Sequence, residues 1–332
     1  MELNPHIKII FILGVHKSGT SLMRSLFDAH SQIFTIPFES HIAHLLNWET
    51  RYPLRAEKPA DEFTIETFFE RAIAWAESIN CVENGYADSQ LVGQLDIGIF
   101  KQVLLNGEKP TNERELIFLY FQAIQESILH FNGKGKVIFV EKSVENMEHA
   151  GRLRKLFPQA EFISIIRNPY ANLVTLRKYF LKMNPQYPMM DRAIRSIRDG
   201  FYYLQANQEL LSPKRIIKYE DLITEPETTM KMLAKILKLR FEAGLLEPTS
   251  LGQPWGGNSV NDKKFTKISS LDINRWRQDI NSLEISLVNQ FLSTELHAYG
   301  YDMIDQPKRS WMPVKKEGLK TFISNRVLLK RG

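Results

Sequence analysis

The feature that most restricts what this 332-residue chain can fold into is residues 8–30, KIIFILGVHKSGTSLMRSLFDAH. Five apolar residues, Ile9 to Leu13, are rich in isoleucine and of strand length. After them come Gly14-Val15-His16-Lys17-Ser18-Gly19-Thr20-Ser21, and then Leu22, Leu26 and Ala29 at helical spacing with Met23 and Phe27 beside them. A strand, a short glycine-containing loop and a helix in direct succession gather backbone N–H groups and the positive end of a helix dipole around one point. That arrangement takes an anion.

The loop is close to the Walker A pattern of glycine, four residues, glycine, lysine and Ser/Thr. Gly14 and Gly19 have the required spacing, but Thr20 stands where the lysine belongs, and the lysine lies inside the loop at Lys17. The expectation is a phosphate cradle without the ATPase arrangement of lysine and magnesium.

Beyond this unit, residues 32–37 read as a short strand that ends in Phe38-Glu39-Ser40-His41. Residues 64–79 and 113–131 read as amphipathic helices, so residues 50–132 are expected to be a helical insert beside the sheet. A capping-box pattern at Thr64 is imperfect at Thr67. The alternation then resumes, with strands over 136–141, 161–166 and 215–219 and helices over 145–157, 170–181, 191–211, 226–237 and 282–299. Pro169 suits the first turn of its helix and Gly300 a C-cap. Strands alternating with helices predict an α/β fold with a central parallel sheet flanked by helices, of the P-loop nucleotide-hydrolase type, with ligands at the C-terminal strand ends. Lys17, Glu39, Lys142, Arg167 and Tyr219 all fall at or just after such ends.

Two of these places together resemble the nucleotide-binding motifs of the sulfotransferases that use 3′-phosphoadenosine-5′-phosphosulfate (PAPS). Lys17-Ser18-Gly19-Thr20-Ser21 resembles the motif that grips the 5′-phosphosulfate. Arg167, with Thr175 eight residues on, resembles the Arg and Ser that bind the 3′-phosphate; threonine keeps the hydroxyl. The resemblance implies PAPS as sulfuryl donor, 3′,5′-ADP as product and no metal. Lys17 would then stabilise the leaving phosphate. A planar guanidinium suits the second phosphate.

Glu39-Ser40-His41 resembles the Glu-x-His of the heparan sulfate type, whose glutamate is the general base; a glutamate after the first βα unit is also found in the tyrosylprotein sulfotransferases. Glu141-Lys142-Ser143 resembles a segment of that group whose lysine lies near the reacting centre, although Val144 replaces the usual proline. Glu39 is thus the expected base, best served if burial lifts its pKa. His41 competes for that role or orients the partners, and Lys142 assists. Tyr219-Glu220-Asp221-Leu222 and the loop from Trp255 to Ser259 resemble other recurring segments. The implied acceptor is a hydroxyl on a saccharide, glycolipid or peptide tyrosine. Two alternatives stay open: an atypical P-loop kinase or NTPase with Glu141 holding magnesium, and a non-catalytic nucleotide-binding protein.

Charge and cysteine content limit the rest. Cys81 is the single cysteine, which excludes an internal disulfide framework and a cysteine-based zinc site. The net charge of +5 is concentrated in residues 306–332, where eight basic residues face Glu317 alone, so residues 1–305 are near neutral. One sulfotransferase domain over 1–305 and a basic tail at 306–332 are the expectations, the tail first of all a solvated extension and, as the alternative, a contact to an anionic membrane surface. Nothing further points to nucleic acid. No apolar run is long enough to span a bilayer and no signal peptide is evident, which leads to the expectation of a cytoplasmic protein, peripheral to the membrane at most. The sequence sets no oligomeric state.

Overall fold

Five parallel strands make the sheet: β1 (Lys8–Gly14), β2 (Ile33–Thr35), β3 (Ile138–Glu141), β4 (Glu161–Ile166) and β5 (Ile216–Lys218), in the order β2-β3-β1-β4-β5. The computed structural model describes residues 8–52, 62–81, 92–106, 109–129, 137–258 and 267–305. The tail at 306–332 and Ser259 lie outside them.

The strand sequences are apolar without interruption because both faces of the sheet are covered. Alternate residues of β1 feed separate cores. Ile9, Phe11 and Leu13 enter one with helices α5 (Glu113–Ser127), α6 (Asn146–Leu156), α7 (Pro169–Met183), α8 (Met190–Ala206) and α12 (Ser282–Ala298). Ile10 and Ile12 enter the other, with α1 (Thr20–Phe27), α9 (Tyr219–Thr224) and α10 (Pro226–Ile236). Phe11 stacks on Phe162 of β4 at 5.4 Å. Each such side chain, fully buried, contributes about 1.5–3 kcal/mol, so the central strand is held from both sides.

Between β2 and β3 the chain forms α2 (Ile42–Leu45), α3 (Ile65–Ile79), α4 (Ile97–Asn106) and α5. The sequence pattern did not reveal α2, α4 or α9, nor α11 (Trp276–Asp279); most are single turns too short to show a period. The capping box at Thr64 is complete: Thr67 takes the place of the usual acid, and its hydroxyl accepts from the Thr64 N–H at 2.9 Å. Asn168 caps α7, accepting from the Tyr170 N–H, and Pro169 sits in the first turn as expected. The buried Arg177 and Glu284 pair at 2.7 Å and join α7 to α12. Gly300 has φ +62° after α12. No helix among the described residues is long and apolar enough to cross a membrane.

One tie at the far end of α1 concerns the site. Asp28 accepts from the Thr249 hydroxyl and the Gly252 N–H, both at 2.8 Å. It thereby fixes a small hairpin, β6 (Thr249–Ser250) and β7 (Gln253–Pro254), ahead of the Trp255 loop. That loop returns to the start of the helix, where Asn258 donates to the Ser21 hydroxyl at 3.2 Å.

Candidate active site

The strand order decides which loops meet. β1 is central, so its loop stands between the ends of β3 and β2 on one flank and those of β4 and β5 on the other. A cavity of about 240 Å³ opens there and is lined by Lys17, Thr20, Ser21, Glu39, Lys142, Arg167 and Thr175 among others. Lys17 and Thr175, 158 positions apart in the chain, thus share one space, as the common placement at strand ends predicted.

The loop after β1 is shaped by two left-handed residues, Lys17 at φ +63° and Gly19 at φ +107°. A Cβ on Gly19 would lie 2.4 Å from the Tyr219 ring, so glycine is required by conformation and by contact. Gly14 is equally confined, with the Ile165 carbonyl 2.7 Å from where its Cβ would be. Ser18 was expected to contact the nucleotide. Its hydroxyl is instead buried and donates to the Ile165 carbonyl at 2.8 Å, and its N–H is taken by the Val15 carbonyl. It therefore braces the loop against β4. Thr20 and Ser21 open α1 and line the cavity. The Lys17 ammonium lies 4.0 Å above the Tyr179 ring. Burial, with help from Lys142, lowers its pKa to about 8.

On the β4 flank Arg167 donates through Nη1 to Thr175 Oγ1 at 3.2 Å, and the guanidinium stacks 4.7 Å over Tyr219. Its buried Nε–H has no partner. Glu220 accepts from the Asn168 N–H and from the Tyr301 hydroxyl, each at 3.0 Å, and so fixes the turn behind Arg167. Residues 219–221 are therefore supporting structure, with Tyr219 a wall shared by Gly19 and Arg167.

On the opposite flank Glu39 and Lys142 form an ion pair. The Glu39 side chain is 30% exposed, that of Lys142 only 3%. Burial alone would lift the glutamate pKa, as the sequence reading wanted. The adjacent ammonium, aided by His41, reverses this and holds the carboxyl below its usual range. His41 has φ +50° and lies with Nε2 3.9 Å from Glu39 Oε2. Its Nδ1 meets Glu145 Oε1 at 2.5 Å. Trp75 of α3 packs on the His41 ring at 4.8 Å and donates to the Glu39 carbonyl at 3.2 Å, so the insert supplies a wall of the site.

Glu141 is fully buried and accepts from the Ser40 and Ser143 hydroxyls, both at 2.6 Å, and from Asn146. Burial raises its pKa to about 7. Its oxygens are occupied by protein donors and turned away from the cavity, which removes the basis for giving it a magnesium ion. Sequence reasoning missed Glu145 and the clamp made by Glu141. The dense polar run 141–146 directly after a strand was the available signal, because polar side chains buried at a strand end need partners.

A family model described as "Sulfotransferase family" matches residues 10–243. A curated relative, the omega-hydroxy-beta-dihydromenaquinone-9 sulfotransferase of Mycobacterium bovis, is 28% identical over 167 residues, and its Mycobacterium tuberculosis counterpart matches equally. The match covers 46% of this chain and 37% of each relative, so the chain spans little over a third of their length. Among solved structures, the sulfotransferase domain from the Synechococcus PCC 7002 olefin synthase superposes with a TM-score of 0.51 at 19% identity. That alignment covers 90% of this chain and 96% of that one, and shows a shared fold.

Proposed function

The chain belongs to the sulfotransferase family, and from that premise we propose that it moves a sulfuryl group from PAPS to an acceptor hydroxyl and releases 3′,5′-ADP. PAPS would supply an activated sulfuryl group whose bond to the bridging phosphate oxygen breaks as the acceptor oxygen bonds to sulfur. The observation that carries the reading is the placing of Arg167 and Thr175 on the same cavity as the Lys17 loop. One anchor suits a 5′-phosphate and the other a second phosphate on the ribose. The residues fit such a ligand: a guanidinium, a lysine, two hydroxyls and a helix N-terminus all line one space.

The side chains divide the work. Lys17 and the α1 N-terminus hold the phosphate where negative charge develops, and the water-poor setting of Lys17 strengthens that interaction. Arg167 and Thr175 fix the ribose end. Glu39 faces the acceptor side of the cavity, and Lys142 keeps it ionised. The acceptor class extends from the saccharides, glycolipids and tyrosines of the motif resemblance to lipid alcohols. Support for the latter comes from the hydroxylated menaquinone lipid in the relative's name and from apolar lining by Val144, Ile223, Trp255 and Ile273.

Thermal shift and calorimetry test the donor site. 3′,5′-ADP is expected to stabilise the protein and ADP with Mg²⁺ to do little. Arg167→Ala should weaken 3′,5′-ADP about 100-fold, the loss of two charge-assisted hydrogen bonds, and 5′-AMP far less. Equal response to both nucleotides would defeat the reading. Sulfate transfer to a mixed panel of lipid, saccharide and phenolic alcohols then tests turnover.

A further inference from the structure

Glu39 lines the cavity but is a poor final home for a proton. Its carboxylate is paired with the Lys142 ammonium, and a group so stabilised as an anion gives a proton up again. Directly behind it stands His41, whose Nδ1 is bonded to Glu145. Glu145 is almost fully buried, and although burial opposes its charge, His41 beside it keeps the carboxyl below its usual range. A carboxylate accepts only, so His41 keeps a proton on Nδ1 toward Glu145, and whenever the ring is neutral Nε2 is its basic nitrogen. That nitrogen is 3.9 Å from Glu39 Oε2. The residue is held at backbone and ring: Ser143 accepts the His41 backbone N–H at 3.2 Å, Trp75 of α3 packs edge-on against the ring, and His44 of α2 lies 5.6 Å away. His44 also faces Glu145 at 4.0 Å, and His149 of α6 lies behind both. The left-handed backbone of His41 costs about 1–2 kcal/mol, and such strain in a non-glycine residue gathers at functional positions.

Resting on the sulfotransferase reading, we propose that Glu39, His41 and Glu145 form a proton relay, with Glu145 the positioning residue that makes His41 the terminal acceptor. The acceptor hydroxyl gives its proton to Glu39 as its oxygen bonds to sulfur, and the electron pair of the broken S–O bond leaves on the bridging phosphate oxygen. Glu39 passes the proton to His41 Nε2, directly or across one water, by a small rotation that closes the 3.9 Å gap. The imidazolium so formed keeps its Nδ1–H on Glu145, and its charge is balanced there. Product release returns the proton to solvent. The arrangement lets a glutamate that stays ionised beside Lys142 still serve in every turnover.

The test uses the full chain. NMR titration of the His41 ring, without nucleotide or acceptor, reads the pairing alone. Glu145→Gln should lower the His41 midpoint by about one pH unit, since it removes the charge that favours imidazolium. In PAPS turnover, kcat/KM should rise with pH through the His41 midpoint to a plateau, and Glu145→Gln should move that limb down by the same interval. kcat should fall about 10- to 100-fold while 3′,5′-ADP affinity, set on the other flank, stays constant. Glu145→Asp, which keeps the charge one methylene back, should restore part of both and serves if the glutamine variant does not fold. A His41 midpoint that ignores position 145, or one that moves while the limb of an active enzyme does not, overturns the relay. A wild type that binds 3′,5′-ADP but transfers nothing to any acceptor overturns the functional reading instead, and the NMR result still reports on the pair.

Discussion

The two flanks of the cavity solve opposite electrostatic problems. On the β4–β5 side Asp279 is taken up by Lys178, while the two candidate phosphate-binding cations meet rings: Arg167 stacks on Tyr219 and Lys17 lies over Tyr179. On the β2–β3 side every acid has a protein partner: Glu39 with Lys142, Glu145 with His41, and Glu141 with two serines and an asparagine. The first flank is incomplete without an anion; the second is complete in itself. The difference teaches which half binds by charge and which half handles protons. Like charges left uncompensated await a ligand, whereas closely matched pairs set protonation states.

The comparison can be broken hardest at Gly19. An alanine there would be left-handed at φ +107° and would collide with Tyr219 at 2.4 Å. Gly19→Ala should lower 3′,5′-ADP affinity by more than about 100-fold and leave the His41 titration unchanged; calorimetry and NMR read the two flanks separately.

A smaller and pH-dependent effect belongs to Lys17. With its pKa lowered to about 8, the charged form prevails below that pH. kcat/KM for the donor should fall as pH rises through about 8. Lys17→Met should lower the plateau about 100-fold and abolish the alkaline limb, as a pH–rate series would show.

The mildest test concerns Glu141. A folded pKa near 7, raised above its unfolded value, means that the folded chain keeps this proton where the unfolded chain has lost it. Its contribution to stability is present below the unfolded value and is lost as pH rises through about 7. Glu141→Gln should remove that decline, a relative gain of up to about 3 kcal/mol at pH 8 over pH 5. Asn146 can accommodate the amide, because its Oδ1 is buried without a partner and a flip would let it accept. Melting curves across pH measure it, with nucleotide affinity unmoved.

The β4–β5 flank was legible in the sequence because its parts are local. Gly14, Lys17 and Gly19 are spaced along one turn, and Arg167 at the end of β4 is eight residues from Thr175 on the helix that follows. The strands were legible because burial on both faces leaves unbroken apolar runs. The β2–β3 flank was legible only in part. Glu39, His41 and Lys142 were found by motif, but not the sign of the shift at Glu39, which depends on a pairing across 103 positions. Glu145 is silent in sequence, since what it does follows from a contact 104 positions away. Ser18 misled for the converse reason: its type fits a phosphate ligand, and only the β4 carbonyl above it shows that its hydroxyl is already committed.

The tie at Asp28 has a mechanical consequence. The chain from 249 to 258 runs along α1 like a strap buckled at both ends. Two hydrogen bonds of 2.8 Å hold one buckle, and one exposed bond of 3.2 Å holds the other, at the cavity mouth. Between the buckles Trp255 is buried and its N–H is held by the Pro248 carbonyl at 2.9 Å, so the strap is fastened along its length. The helix whose first turn lines the cavity is thus also the post to which one wall of that cavity is fastened.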